Sequence, residues 1–235
     1  MKKCILMTAI LLLAMTAMAQ KNNDDTVENV TVKDARYCMS YEEFVNNQWQ
    51  SVEQLKRIIR TENQKFWYGG APYQFKKDDK AFDKLLKKKA FAIAFDDSIY
   101  INFHGLKHKG APLGLGYDKC YLMGNKIVIT DRYVSKKKNM TMGALAGAGG
   151  VFAGIIGGTA LGIASQEILT KWAKQVCYII ENDTKKITLI DQEMMETLLA
   201  NHPDLLSQYN QVEGNKEKRS AITVMPLLIK AGIIK

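Results

Sequence analysis

The chain has 235 residues and a formal charge of +9, with 33 Lys and Arg against 24 Asp and Glu. Its four cysteines show no C-x-x-C spacing, so zinc and redox motifs are unsupported. The basic excess would suit nucleic acid in a cytosolic protein, but the first twenty residues point to another compartment and no nucleic-acid partner is expected.

Those residues read MKKCILMTAILLLAMTAMAQ: Lys2 and Lys3 are a charged start, residues 5–14 an apolar core, and Ala17-Met18-Ala19 a small-x-small site. This is the pattern of a secretory signal peptide, and cleavage is expected after Ala19. A lipoprotein signal needs a cysteine after the apolar core, whereas Cys4 precedes it. The apolar core is only about half of the ~20 residues that a spanning anchor needs. Cleavage removes nineteen residues and two lysines, leaving 216 residues with a charge of +7. An exported basic chain meets anionic lipid headgroups, lipopolysaccharide or other acidic envelope polymers. Its length suits one main domain over residues 37–235.

Residues 20–36 are polar and aperiodic, a flexible leader. Ser40 with Glu43, and Ser51 with Gln54, form capping-box patterns. After the second, Val52, Leu55, Ile58 and Ile59 recur at helical spacing and predict a short helix near residues 52–60. FWYGGAPYQF predicts a turn at Gly69-Gly70 flanked by extended segments, its aromatics packing in the core, with sugar binding the alternative. Next, Ala81, Phe82, Leu85 and Leu86 make one helical face opposite Lys80, Lys84, Lys87 and Lys88; of these, Lys84, Lys87 and Lys88 are candidates for contact with an anionic surface.

Three hairpins follow. Residues 90–95 pair with 98–103 about Asp96-Asp97, residues 117–123 with 126–133 about Gly124-Asn125, and residues 175–180 with 186–191 across a longer polar turn. The fold class is therefore α+β, an antiparallel sheet of about six strands flanked by short helices. Cys120 and Cys177 fall within strand runs and read, with Cys38, as buried small hydrophobes; one disulfide among the three is the alternative. Two short helices divided at His202-Pro203 come next, and AITVMPLLIKAGIIK closes the chain as a docked apolar tail.

Between the second and third hairpins, residues 140–165 carry no charge, and glycines at 143, 147, 149, 150, 154, 157, 158 and 162 give repeated GxxxG steps. Gly143, Gly147, Gly150, Gly154, Gly158 and Gly162 are the candidate membrane or helix-packing residues, because backbones without Cβ atoms approach closely. As one helix the run would reach about 39 Å, enough to cross a bilayer. A single crossing would put strands of one sheet on opposite sides, so a hairpin fits better. The alternatives are a zipper buried in the protein or an oligomer, and a disordered loop. Lys136, Lys137 and Lys138 just before the run could meet anionic headgroups.

No catalytic constellation is visible, and neither enzyme activity nor a cofactor is expected. His104 and His108 are spaced as a helical metal pair, but Gly105 and the preceding strand argue for a loop. Asp78-Asp79 and Asp96-Asp97 sit at a helix start and a turn. GAPLGLGYDK lacks the lysine-serine ending of a phosphate-binding loop.

The stretches YCMSYEEFVNNQW, FWYGGAPYQF, DKLLKKKAFAIAFDDSIYIN and GYDKCYLMGN, followed by the small-residue insertion, resemble a family of uncharacterised exported proteins of Bacteroidetes-type Gram-negative bacteria. The resemblance covers roughly residues 37–209 and implies an α+β domain and an envelope or secreted location. Two functional readings follow: an envelope protein whose glycine segment docks it to membrane lipid or to its own copies, and a soluble exported module for an acidic envelope polymer with the zipper internal.

Overall fold

The structure, a computed structural model, describes residues 29–61, 64–65, 70–135 and 165–235. The signal peptide, residues 20–28 of the leader, Lys136 to Lys138 and the six candidate glycines of the apolar run lie outside the described residues, so the readings placed on them rest on sequence alone. The flexible leader expected over residues 20–36 is wrong for residues 29–36, where strands pair into the sheet with Val32 and Ala35 buried.

The first strands make one ribbon. β1 (Asn29–Val32) pairs with β4 (Leu55–Ile59) and β2 (Ala35–Cys38) with β3 (Gln50–Val52), both antiparallel and in one register, with Val32 opposite Leu55 and Ala35 opposite Val52. Asp34 and Gln54 interrupt the two sides with left-handed φ values of 56° and 55°. The helix expected near residues 52–60 is therefore wrong. Val52 and Leu55 are both buried, and Arg57 has backbone partners on two sides, Val30 and Phe75. Tertiary pairing overrides the helical spacing here, and Gln54 occupies the corner rather than completing a cap. The first capping pattern does form: Ser40 Oγ accepts from Glu43 N at 3.0 Å, and Glu43 Oε2 accepts from Met39 N at 2.7 Å, which starts α1 (Tyr41–Val45).

From β4 the pairing passes to β5 (Tyr73–Lys76), then to β10 (Tyr117–Met123), β7 (Ser98–Asn102) and β6 (Ala92–Phe95), and from β6 to β2. Because β2 and β1 belong to the ribbon that began the series, the strands close in a ring. Val32, Val52, Leu55, Phe75, Ile93, Phe95, Tyr100 and Tyr117 fill its interior. Five of its aromatic contacts lie between 4.8 and 5.8 Å, including Phe95 stacked on Tyr100. Helix α2 (Lys80–Lys88) packs on the same core through the fully buried Leu86.

A second sheet branches from β10. Its end pairs with β11 (Lys126–Asp131), β11 with β12 (Val176–Ile180), and β12 with the short β13 (Thr188–Leu189). All three predicted hairpins form, but the sheet has more than the six strands expected, because residues 29–59 add four and β5 a fifth. A separate two-stranded piece, β8 (Lys107–His108) with β9 (Ala111–Pro112), folds over one face, where Ile101, Cys120, Ile129 and Tyr178 make a second core. On the opposite face Val128, Cys177 and Ile179 are covered by α3 (Gln166–Trp172), α4 (Gln192–Leu198), α5 (Pro203–Asn210) and α7 (Ala221–Lys230), with the small α6 (Asn215–Lys218) leading into the last. The terminal apolar stretch docks as expected: Leu227 and Leu228 are buried, and Lys235 exchanges two backbone hydrogen bonds with Leu122. Cys38, Cys120 and Cys177 are buried and unpaired, and burial raises the Cys38 thiol to about 12.

Candidate functional site

Two places gather charge, one on the surface and one sealed inside. On the surface, Asp79 caps α2 by accepting from Ala81 N at 2.8 Å and Phe82 N at 2.9 Å, and Leu86 anchors the inner side. The far end is pinned by Asn102, whose Nδ2 donates to Leu86 O at 2.9 Å and Ala90 O at 2.8 Å, and by the Tyr117 hydroxyl, which donates to Leu86 O at 2.5 Å. Lys84, Lys87 and Lys88 are thereby held on the exposed side.

The same Asn102 also positions His104, since its Oδ1 accepts from His104 N at 2.9 Å. Lys185 reaches this corner from the turn after β12, its carbonyl accepting from Lys107 N at 2.8 Å and its ammonium lying 5.5 Å from the centre of the Phe91 ring. Burial, followed by the charges of Lys185, Lys88 and Lys87, lowers the His104 imidazole below its ordinary value. Lysines from two distant places, the adjacent Lys87 and Lys88 on α2 and Lys185 after β12, thus bear on one point. Such a surface attracts anions.

The expected acid positions are structural, with Asp79 at the cap and Asp96 in the turn. His104 and His108 form no metal pair. His108 is buried, its Nδ1 stands 3.3 Å from Ile187 O, and its ring packs 5.3 Å from that of Tyr178. Among the described residues no group of three or more His, Cys, Asp or Glu could hold a metal ion. Nor is any helix there long and apolar enough to cross a membrane.

The sealed cluster lies at the fork where β11 parts from β5 along one edge of β10. Cys120 faces Ile129 in the last pair of that ladder, and two residues further out along the two strands stand Asp118 and Asp131, near enough for the charge of Asp118 to bear on Asp131. Each is 1% exposed. Lys171, on α3, spans both oxygens of Asp118 at 2.8 and 2.7 Å. Asp131 Oδ1 accepts from Arg132 N at 2.7 Å, while its Oδ2 is buried without a hydrogen-bond partner. Gly70 presses against this carboxylate: a Cβ there would stand 2.4 Å from Asp131 Oδ1. The wall of the fork is braced by Arg60, 1% exposed, which donates to the carbonyls of Ala71 at 2.6 Å, Leu115 at 2.7 Å and Gln64 at 2.6 Å.

Burial raises both carboxyl groups. For Asp118 the ammonium of Lys171 works against that rise, whereas Asp131 is left at about 7. Such a pair can hold and release a proton near neutrality. Sequence reading missed it because each aspartate looks like part of a strand. The signal was available: in the hairpin turning at Gly124-Asn125, counting outward reaches residues 118 and 131 together, and charge inside two apolar runs is unusual.

A profile described as a family of unknown function (DUF6563) matches residues 36–235. The chain belongs to this family. The match spans every described element from β2 onward, the α2 lysine face and the fork included. No curated protein and no solved structure matches the chain.

Proposed function

We propose that this chain is a non-enzymatic, exported cell-envelope protein whose folded domain meets an anionic surface with the lysine side of α2. The observation that carries the reading is the convergence about His104 of the Lys87-Lys88 pair on α2 and of Lys185, which come from two separate parts of the chain. Lys84, one turn earlier, and Lys136 to Lys138 at the start of the apolar run extend the same charge preference. The glycine run, with Gly143, Gly147, Gly150, Gly154, Gly158 and Gly162, supplies the second contact, by membrane association or self-packing. Two weak signals together hold a protein at a bilayer where either alone is reversible.

The test is sedimentation of the mature protein with phosphatidylcholine vesicles containing about one third phosphatidylglycerol, compared with neutral vesicles. A lysine near an anionic membrane contributes about 1 kcal/mol, so Lys84→Gln, Lys87→Gln and Lys88→Gln together are expected to weaken binding on the order of 100-fold. Unchanged binding by the triple variant would refute the role of this face. Deletion of residues 140–165 is expected to release the protein from carbonate-washed membranes, and an unchanged membrane fraction would refute the role given to the glycine run. Binding to soluble lipopolysaccharide without vesicle binding would favour the acidic-polymer reading.

A further inference from the structure

We propose that Asp131 is a proton-operated latch on the fork: with a proton on Oδ2 the fork stays closed under α3, and loss of that proton loosens α3 and the contact of Asp131 with Gly70. The geometry leaves little choice about where a second negative charge could go. Asp118, on β10, and Asp131, on the paired strand β11, are both sealed from solvent, the charge of Asp118 bears on Asp131, and the Lys171 ammonium is bound to both oxygens of Asp118. Asp131 Oδ2 has no hydrogen-bond partner, and the backbone at Gly70 closes over the same carboxylate.

The charged and titratable groups around it come from every side. β10 supplies Asp118 and α3 supplies Lys171. Arg132, at the end of Asp131's own strand, gives a backbone N–H and the nearby positive charge of its guanidinium. Tyr178 on β12 feels the Asp131 charge, and Lys65, on the connection before Gly70, bears on Asp118. Burial outweighs the favourable partners and raises the Asp131 carboxyl to about 7.

The step is a simple protonation. Oδ2 takes a proton from water to form an O–H bond and loses it again to water, with no other bond changed. Ionised, Asp131 places a second carboxylate beside Asp118 in a dry site. The relief is entry of water, and the fork opens to water by movement of α3. The sign follows from linkage. A carboxyl raised in the closed form favours closure at low pH, and that preference is lost as pH climbs from the ordinary value of 3.8 through about 7. Within this window the opening constant rises about tenfold per pH unit and then levels.

The experiment uses the whole mature protein. Carboxyl-carbon NMR follows Asp131, and hydrogen exchange, corrected for the chemical rate, follows the amides of residues 169–173 at about pH 5 and about pH 7. The expected results are an Asp131 midpoint above about 6 and an opening constant at least tenfold higher at the upper pH, with Asp131→Asn showing no such rise. A midpoint near that of an ordinary aspartate, equal protection at both pH values, or the same rise in Asp131→Asn would overturn the proposal. Should Asp131→Asn fail to fold, Asp118→Asn serves instead: removing the like charge is expected to lower the Asp131 midpoint and move the opening to lower pH, and an unmoved midpoint would refute the coupling. If neither variant folds, the wild-type titration and exchange decide.

Discussion

Replacing Lys171 by Met leaves the Asp118 carboxylate in a site that is 1% exposed, with its ammonium partner gone from both oxygens. Breaking a buried ion pair from one side costs 3–5 kcal/mol, and the low end, about 3, applies here because the Lys171 side chain is 37% exposed. Urea unfolding with a slope of about 2 kcal/mol per molar would register this as a midpoint lowered by roughly 1.5 M at about pH 8. The defect carries a pH signature. Burial already raises the Asp118 carboxyl and Lys171 opposes that rise, so its loss drives the folded value higher still. A folded carboxyl raised above its unfolded value is destabilising when ionised, so the defect should shrink as pH falls through the folded value and Asp118 takes up a proton. Adding Asp118→Asn to the same chain should restore most of the midpoint at about pH 8. A defect of equal size at about pH 5 and about pH 8, or one below about 0.5 kcal/mol, would refute the account of the pair.

Gly116→Ala should destabilise by more than about 2 kcal/mol in the same unfolding assay, because φ there is 98° and a Cβ would meet Tyr73 O at 2.8 Å and Arg60 Nη1 at 2.9 Å. Asp79→Ala removes the acceptor for two amides at the start of α2 and should cost about 1 kcal/mol, with faster exchange at Ala81 and Phe82 as the local sign.

How much of this was legible depended on the range of the interaction. The hairpin about Gly124-Asn125 could be read from a tight turn between alternating runs, and α2 from four apolar residues opposite lysines, because both are settled within a few residues. Residues 50–59 were not, because Ser51, Gln54 and the apolar spacing fit a helix locally. Strand form there is imposed by Val30 on one side and Phe75 on the other, partners 27 and 18 residues from Arg57. The lysine face was visible as a pattern, but His104 and Lys185 joined it only through the folded positions of Asn102 and Lys107. The fork needed one more step than the hairpin, which was to count the register outward to 118 and 131. Lys171 then comes from a helix more than fifty residues beyond Asp118, and no local pattern announces it.

Strand β10 is shared between the ring and the branching sheet: within its seven residues Tyr117 pairs with both β5 and β7, the β7 pairing runs on to Lys119, and Cys120 to Met123 pair with β11. Neither sheet can come apart at that strand without exposing the partners of the other. The two cores are tied into a single cooperative unit across one backbone, so a disturbance seeded at Asp118 is felt as lost protection on both sides rather than as local fraying.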